Sequence, residues 1–192
     1  MILPAGAYRL ETRERDRLIA VETGTISATG VAAARQVEGS DNRYEAAAEL
    51  DESAQITALQ LRYVRGPFAR SARYELGPEL MRGMLKVLAG YQAVEVKLGR
   101  FREVDGGLLI FKALLVAHAR GRGLRRWTGR VAIIDPATLL AKSIKQTLYQ
   151  TDEAGLEWVL EPALGEREVL RIDSQGRLLS HATHQGLRTL AV

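Results

Sequence analysis

No cysteine occurs among the 192 residues, so a disulfide framework, a thiolate metal site and a cysteine nucleophile are all excluded. Aromatic residues are sparse at 6%, and Tyr and Phe do not interleave with the basic side chains as a base-stacking platform requires. The longest apolar run, Leu108 to Ala119, contains Lys112 and falls short of the roughly 20 residues that a membrane-spanning helix needs. The N-terminal stretch MILPAGAYRL has neither a basic n-region nor an apolar h-region, so it does not read as a signal peptide and the expected location is cytoplasmic. G-x-S-x-G, G-x-x-x-x-G-K-[ST] and H-E-x-x-H are missing, which removes the usual warrants for elbow hydrolases, P-loop enzymes and zincins. Gly121-Arg122-Gly123 follows an expected helix instead of a strand, the wrong context for dinucleotide binding.

Locally, what is scarce is negative charge. Between Leu108 and Ile134 there is no acid, while Lys112, Arg120, Arg122, Arg125, Arg126 and Arg130 supply six cations against a whole-chain net charge of +4. The clustering carries more information than the basic pI near 9.6, because 22 of the 27 basic residues are Arg and base composition can produce that bias. With 46% hydrophobic and 26% charged residues the composition is that of a folded globular chain, and no linker or repeat divides it, so residues 1–192 are expected to form one domain.

Most of the chain alternates with period two, the mark of strands that bury one face. Tyr8, Leu10 and Thr12 oppose Arg9, Glu11 and Arg13; Tyr44, Ala46, Ala48 and Leu50 oppose Arg43, Glu45 and Glu49; Leu59, Leu61 and Tyr63 oppose Gln60 and Arg62. Met81, Gly83, Leu85 and Val87, then Val94, Val96 and Leu98, then Leu156, Trp158 and Leu160, repeat the pattern. Turn signals separate these runs, among them Gly39-Ser-Asp-Asn, Asp51-Glu-Ser, Arg65-Gly-Pro, Asp152-Glu-Ala-Gly and Asp173-Ser-Gln-Gly. Their close spacing favours hairpins over parallel crossovers. The expectation is a mainly β chain, an antiparallel meander of ten to twelve strands curled into a spiral roll or open barrel. The continuous apolar run breaks the pattern. Its length, its Leu and Ala content, Asp105 near its start and Arg120-Gly121 at its end predict one apolar helix over about residues 107–120, wrapped by the sheet.

Catalytic candidates are few. His118 lies in the apolar segment, and His181 with His184 makes an H-x-x-H spacing that puts the two rings on opposite faces of a strand, with no third metal ligand at recognisable spacing. The acid pairs Asp152-Glu153, Glu157 with Glu161, and Glu166 with Glu168 read as solvated turns and strand faces. No cofactor, no metal and no catalytic residue is therefore assigned. The basic segment Arg120 to Arg130 has two readings: contact with an anion, Arg gripping it bidentately, or a solvated basic strand edge.

The order of elements resembles that of bacterial spiral β-roll proteins assigned as glycolipid-binding, together with related domains of unknown function. The likeness rests on successive antiparallel hairpins, then the turn and apolar helix DGGLLIFKALLVAHARGRG, the strand WTGRVAIIDP, and the final pair DSQGRLLSHATHQGLRTLAV. It implies a curled sheet around a helix or apolar groove, and a lipid-like ligand. The resulting expectation is a non-catalytic protein that binds an amphiphile, with Phe111, Leu115, Trp127 and Trp158 meeting the tail, His118 close by, and Arg120, Arg125 or Arg126 meeting an acidic head. Two rivals remain: nucleic-acid or other polyanion binding through Arg120 to Arg130, and a structural or interaction protein with a filled core.

Overall fold

The computed structural model describes residues 3–87, 90–163, 165–183 and 186–192. One sheet of fifteen strands accounts for nearly all of it. The strands are β1 (Gly6–Glu14), β2 (Arg17–Ile26), β3 (Gly30–Val37), β4 (Arg43–Leu50), β5 (Ile56–Arg65), β6 (Phe68–Leu76), β7 (Leu80–Val87), β8 (Gly90–Lys97), β9 (Val104–Asp105), β10 (Arg126–Ile134), β11 (Ala141–Gln150), β12 (Glu157–Pro162), β13 (Glu168–Ile172), β14 (Leu178–Thr183) and β15 (Leu187–Ala191). Between β9 and β10 runs the helix α1 (Leu109–Gly121).

The spatial order is β8 through β1, then β15 down to β9, so the first and last strands are neighbours in the middle of the sheet. Thr12 of β1 pairs with Thr189 of β15. All pairings are antiparallel except the short one between β9 and β10. Among the described residues β8 and β9 end the sheet and do not pair with each other, so the roll stays open. Three more strands occur than the period-two count allowed at most. Strand β3 explains part of the gap, since GVAAARQV sets alanine against alanine and offers little contrast between its faces.

The concave face holds the core. Leu10, Val31, Ala46, Leu59, Leu61, Tyr74, Met81 and Leu170 line it, and α1 fills it. Ten of the thirteen helical residues are buried, which is why the segment is apolar on nearly every side. Two tyrosines pin the inner wall to what precedes and follows the helix: the Tyr44 hydroxyl donates to the Gly106 carbonyl at 2.5 Å, and that of Tyr74 to Leu139 at 2.6 Å. Each of Tyr8 and Tyr74 lies across a glycine on the adjacent strand, Gly24 and Gly83, where an added Cβ would overlap the ring.

Both ends of α1 differ from the sequence expectation. Asp105 accepts from the Gly107 backbone N–H at 2.9 Å and does not cap the helix. The cap comes from β2: Glu22 accepts the backbone N–H groups of Leu109 at 3.0 Å and Ile110 at 3.1 Å, from almost ninety residues earlier in the chain. At the other end the left-handed glycine is Gly123 (φ +67°), two residues past Gly121, and the N–H groups of Gly123 and Leu124 close on the Arg120 and Ala119 carbonyls.

Candidate functional site

Strand parity decides which side chains enter the roll. Besides apolar residues, the inward positions carry Thr12 on β1, Glu22 on β2, Arg35 on β3, Glu168 on β13, His181 on β14 and Thr189 on β15. These cluster around the first turn of α1. A cleft of about 310 Å³ is lined there by Thr12, Arg35, Asp105, Lys112, Glu168, His181, Thr183 and Thr189, with Ile133, Ile134 and Pro136 among its apolar walls.

Lys112 is the centre of an ion network. Its Nζ lies 3.0 Å from Asp105 Oδ2 and 2.8 Å from Glu168 Oε1, and the second oxygen of Glu168 is 2.6 Å from His181 Nε2. Burial alone would push the lysine down; the two carboxylates reverse that and hold it above its usual value. For Glu168 burial works upward, but the His181 hydrogen bond and the Lys112 charge outweigh it and bring the carboxyl down to about 2. Glu22, 2% exposed, is shifted the other way, because burial dominates over the N–H bonds from Leu109 and Ile110 and over the charge of Arg35. The Tyr8 hydroxyl faces Glu22 at 3.4 Å and is itself held high by burial. Thr12 and Thr189 share a hydrogen bond of 2.9 Å across β1 and β15.

Beside this cleft a mainly apolar trough runs over α1, with Arg9, Asp173 and Arg177 at one end and Ser27, Glu52 and Ser53 at the other also in its lining. Two cavities of about 380 and 430 Å³ share Leu3, Ala5 and Ile26; the first also meets Tyr8, Ile110, Ala113 and Leu178, the second Leu50 and Leu114. Trough and cleft are carried by the same elements. On β1 the trough takes Gly6–Leu10 and the cleft takes Thr12; on β15 it takes Ala191 and the cleft Thr189; on α1 it takes Ile110 and Ala113 and the cleft Leu109 and Lys112. Along β1 the last trough residue, buried Leu10, and the cleft residue Thr12 are successive inward positions, a step of about 7 Å at strand rise.

The residues singled out from sequence lie elsewhere. Phe111, Leu115 and Trp158 are packed in the core, and the Trp158 indole N–H donates to the Gly155 carbonyl at 2.9 Å. None of the five cavities found is lined by them. His118 is buried between Glu103, 2.7 Å from its Nδ1, and the Ala54 carbonyl, 2.9 Å from its Nε2. Both ring nitrogens thus face acceptors, and Arg122 completes the group with a 2.6 Å bond to Glu103 while lying over the Phe101 ring. Trp127 packs at 6.1 Å from the same ring. Arg120 reaches the Ser174 carbonyl at 3.3 Å, Arg126 lies over Tyr149, and Arg125 is exposed. Arg130 is exposed as well, so the six cations do not converge on one group, and Lys112 alone of them lines the cleft. His184 lies outside the described residues, as does Gln185 at the expected final turn.

Sequence reasoning placed Thr12 on the buried face and noted the acid pair containing Glu168, but missed Glu22, Arg35 and Asp105 as members of one site. The available signal was a charge at an inward parity: Glu22 between Ala20 and Gly24, Arg35 after Val31 and Ala33, Glu168 before Leu170 and Ile172.

No family model matches the chain, and no curated protein matches it. Among solved structures, a protein from Pseudomonas aeruginosa described as a DUF1089 family protein is similar, with a TM-score of 0.61 over 84% of this chain and 88% of its own, at 16% identity. At that identity the likeness is one of fold, a β-rich open roll, and carries no site residues across.

Proposed function

We propose that this protein binds a small amphiphile, its apolar tail in the trough over α1 and its polar head in the cleft around Lys112. The observation that carries the reading is the adjacency of the two along β1, β15 and α1, one lined by Leu3, Ile26, Ile110 and Leu114, the other by charged and hydroxyl groups. Their volumes fall in the range of small-molecule sites. The resemblance in layout to glycolipid-binding β-rolls points to the same ligand class. The tail position differs from the one expected from sequence: Phe111, Leu115 and Trp158 are packed in the core, and the helix residues that meet the trough are Ile110, Ala113 and Leu114. Lys112 is paired with Asp105 and Glu168, and Glu168 with His181, so the network serves as a polar wall of the cleft.

Native mass spectrometry of the purified chain, before and after delipidation and with added long-chain amphiphiles, tests this. The expected result is a one-to-one complex that Ile26→Trp, which fills the trough at a residue shared by both cavities, abolishes while leaving the fold intact. Absence of any retained or added amphiphile would overturn it.

A further inference from the structure

Hydrogen-bond bookkeeping in the cleft shows what its unspent groups are. All four oxygens of Asp105 and Glu168 are engaged: Asp105 by the Gly107 N–H and Lys112, Glu168 by Lys112 and His181. The acids have no oxygen left without a partner. Donors do remain. Among the described residues Arg35 makes neither an ion pair nor a side-chain hydrogen bond, although it lines the cleft and is only half exposed. Its cross-strand partner on β2 is Glu22, whose carboxyl is held by the helix N–H groups. Thr183 Oγ1 is buried with no partner among the described residues. The Thr12 and Thr189 hydroxyls share one bond, so one of their two protons is left over.

These groups stand on nearby strands of one sheet, the cross-strand row through Thr12, Thr189 and His181 lying one inward position from the row through Arg35, Glu22 and Leu10. Arg35 stands on β3, Thr12 on β1, Thr189 on β15 and Thr183 on β14, all inside the same 310 Å³ cleft. A guanidinium, a hydroxyl pair and a lone buried hydroxyl leave unspent donors in the cleft, beside the Asp105 and Glu168 carboxylates whose oxygens are already engaged. A guanidinium with its fork unspent matches two oxygens of a planar or tetrahedral anion.

We infer that the cleft is an anion site, in which Arg35 grips a carboxylate, phosphate or sulfate group and the Thr12–Thr189 pair and Thr183 supply further hydrogen bonds. Resting on the amphiphile reading, it assigns that ligand an acidic head and names Arg35 as the residue that selects it.

Calorimetric titration of the full chain with decanoate, decyl phosphate, decanol and inorganic phosphate tests it, using the wild type, Arg35→Gln and Arg35→Lys, each checked by thermal unfolding. Decanoate or decyl phosphate should bind at least about tenfold tighter than decanol, the size expected of one charge-assisted pair. Arg35→Gln should erase that preference by weakening the acids to about the level of decanol, and Arg35→Lys should retain part of it. Equal binding of decanol and the acids, or a preference that survives Arg35→Gln, overturns the anion site while the amphiphile reading stands. Arg35-dependent binding of inorganic phosphate without any alkyl ligand supports the anion site and overturns the amphiphile reading. No binding of any probe overturns both.

Discussion

Glu22 is the residue whose removal should tell most about how the roll and its helix are joined. In Glu22→Ala two buried backbone donors, Leu109 N–H and Ile110 N–H, lose their acceptor, and the Tyr8 hydroxyl loses a weaker one. An orphaned buried donor costs about 1–3 kcal/mol. Against this stands a gain, because a carboxyl whose ionisation burial opposes no longer has to be kept in the core. The net expected loss is about 2–5 kcal/mol. Glu22→Gln keeps the shape and one carbonyl oxygen but points an NH₂ at one of the two N–H groups, so its loss should be smaller, about 1–2 kcal/mol. Urea denaturation, read as a shift of midpoint at constant slope, gives both numbers, and amide exchange at Leu109 and Ile110 reports the cap directly. A loss under about 0.5 kcal/mol for Glu22→Ala, the lower end of what removing a helix cap costs, or equal losses for Ala and Gln, would refute the claim that β2 caps α1.

Lys112→Met should destabilise by about 3–5 kcal/mol by chemical denaturation, since Asp105 and Glu168 are then left buried without their cation; adding Asp105→Asn and Glu168→Gln should recover most of it. Glu168 titrates near 2 when folded against an ordinary 4.5. Its depressed value means that its contribution, about 3 kcal/mol at most, is fully present above pH 4.5 and is lost as the pH falls toward 2. Unfolding of the wild type and Glu168→Gln over that window should therefore show the stability difference between them shrinking as acid is added. Gly83→Val should cost more than about 2 kcal/mol in the same denaturation assay, because its side chain would displace the Tyr74 ring that closes the core.

The strands were legible wherever the two faces differ in polarity, as in RYEAAAEL of β4, whose buried residues are the ones that period two selects. Strand β3 was not, because its alternating partners are both alanine. The helix was legible because thirteen residues that are apolar on almost every side can only be buried. Its caps were not: the Leu109 and Ile110 donors are satisfied by Glu22 from a strand far off in the chain, and nothing within one turn of α1 signals that. Reading Phe111, Leu115, Trp127 and Trp158 together relied on large side chains near a basic exit, but size and hydrophobicity describe a packed core and an open trough equally well.

Alternation, turn residues and one uninterrupted apolar run determined by themselves that this chain is an antiparallel meander wrapped around a helix, because those signals are local and repeat every two or four residues. The tertiary structure alone decided that β1 lies against β15, and with it that Thr12 meets Thr189, that Lys112 falls between Asp105 and Glu168, and that Arg35 faces the same cleft. Parity says that a side chain points inward. Which inward side chains meet is set by register between distant strands and by where the helix begins, and those depend on how the whole sheet curls around the helix.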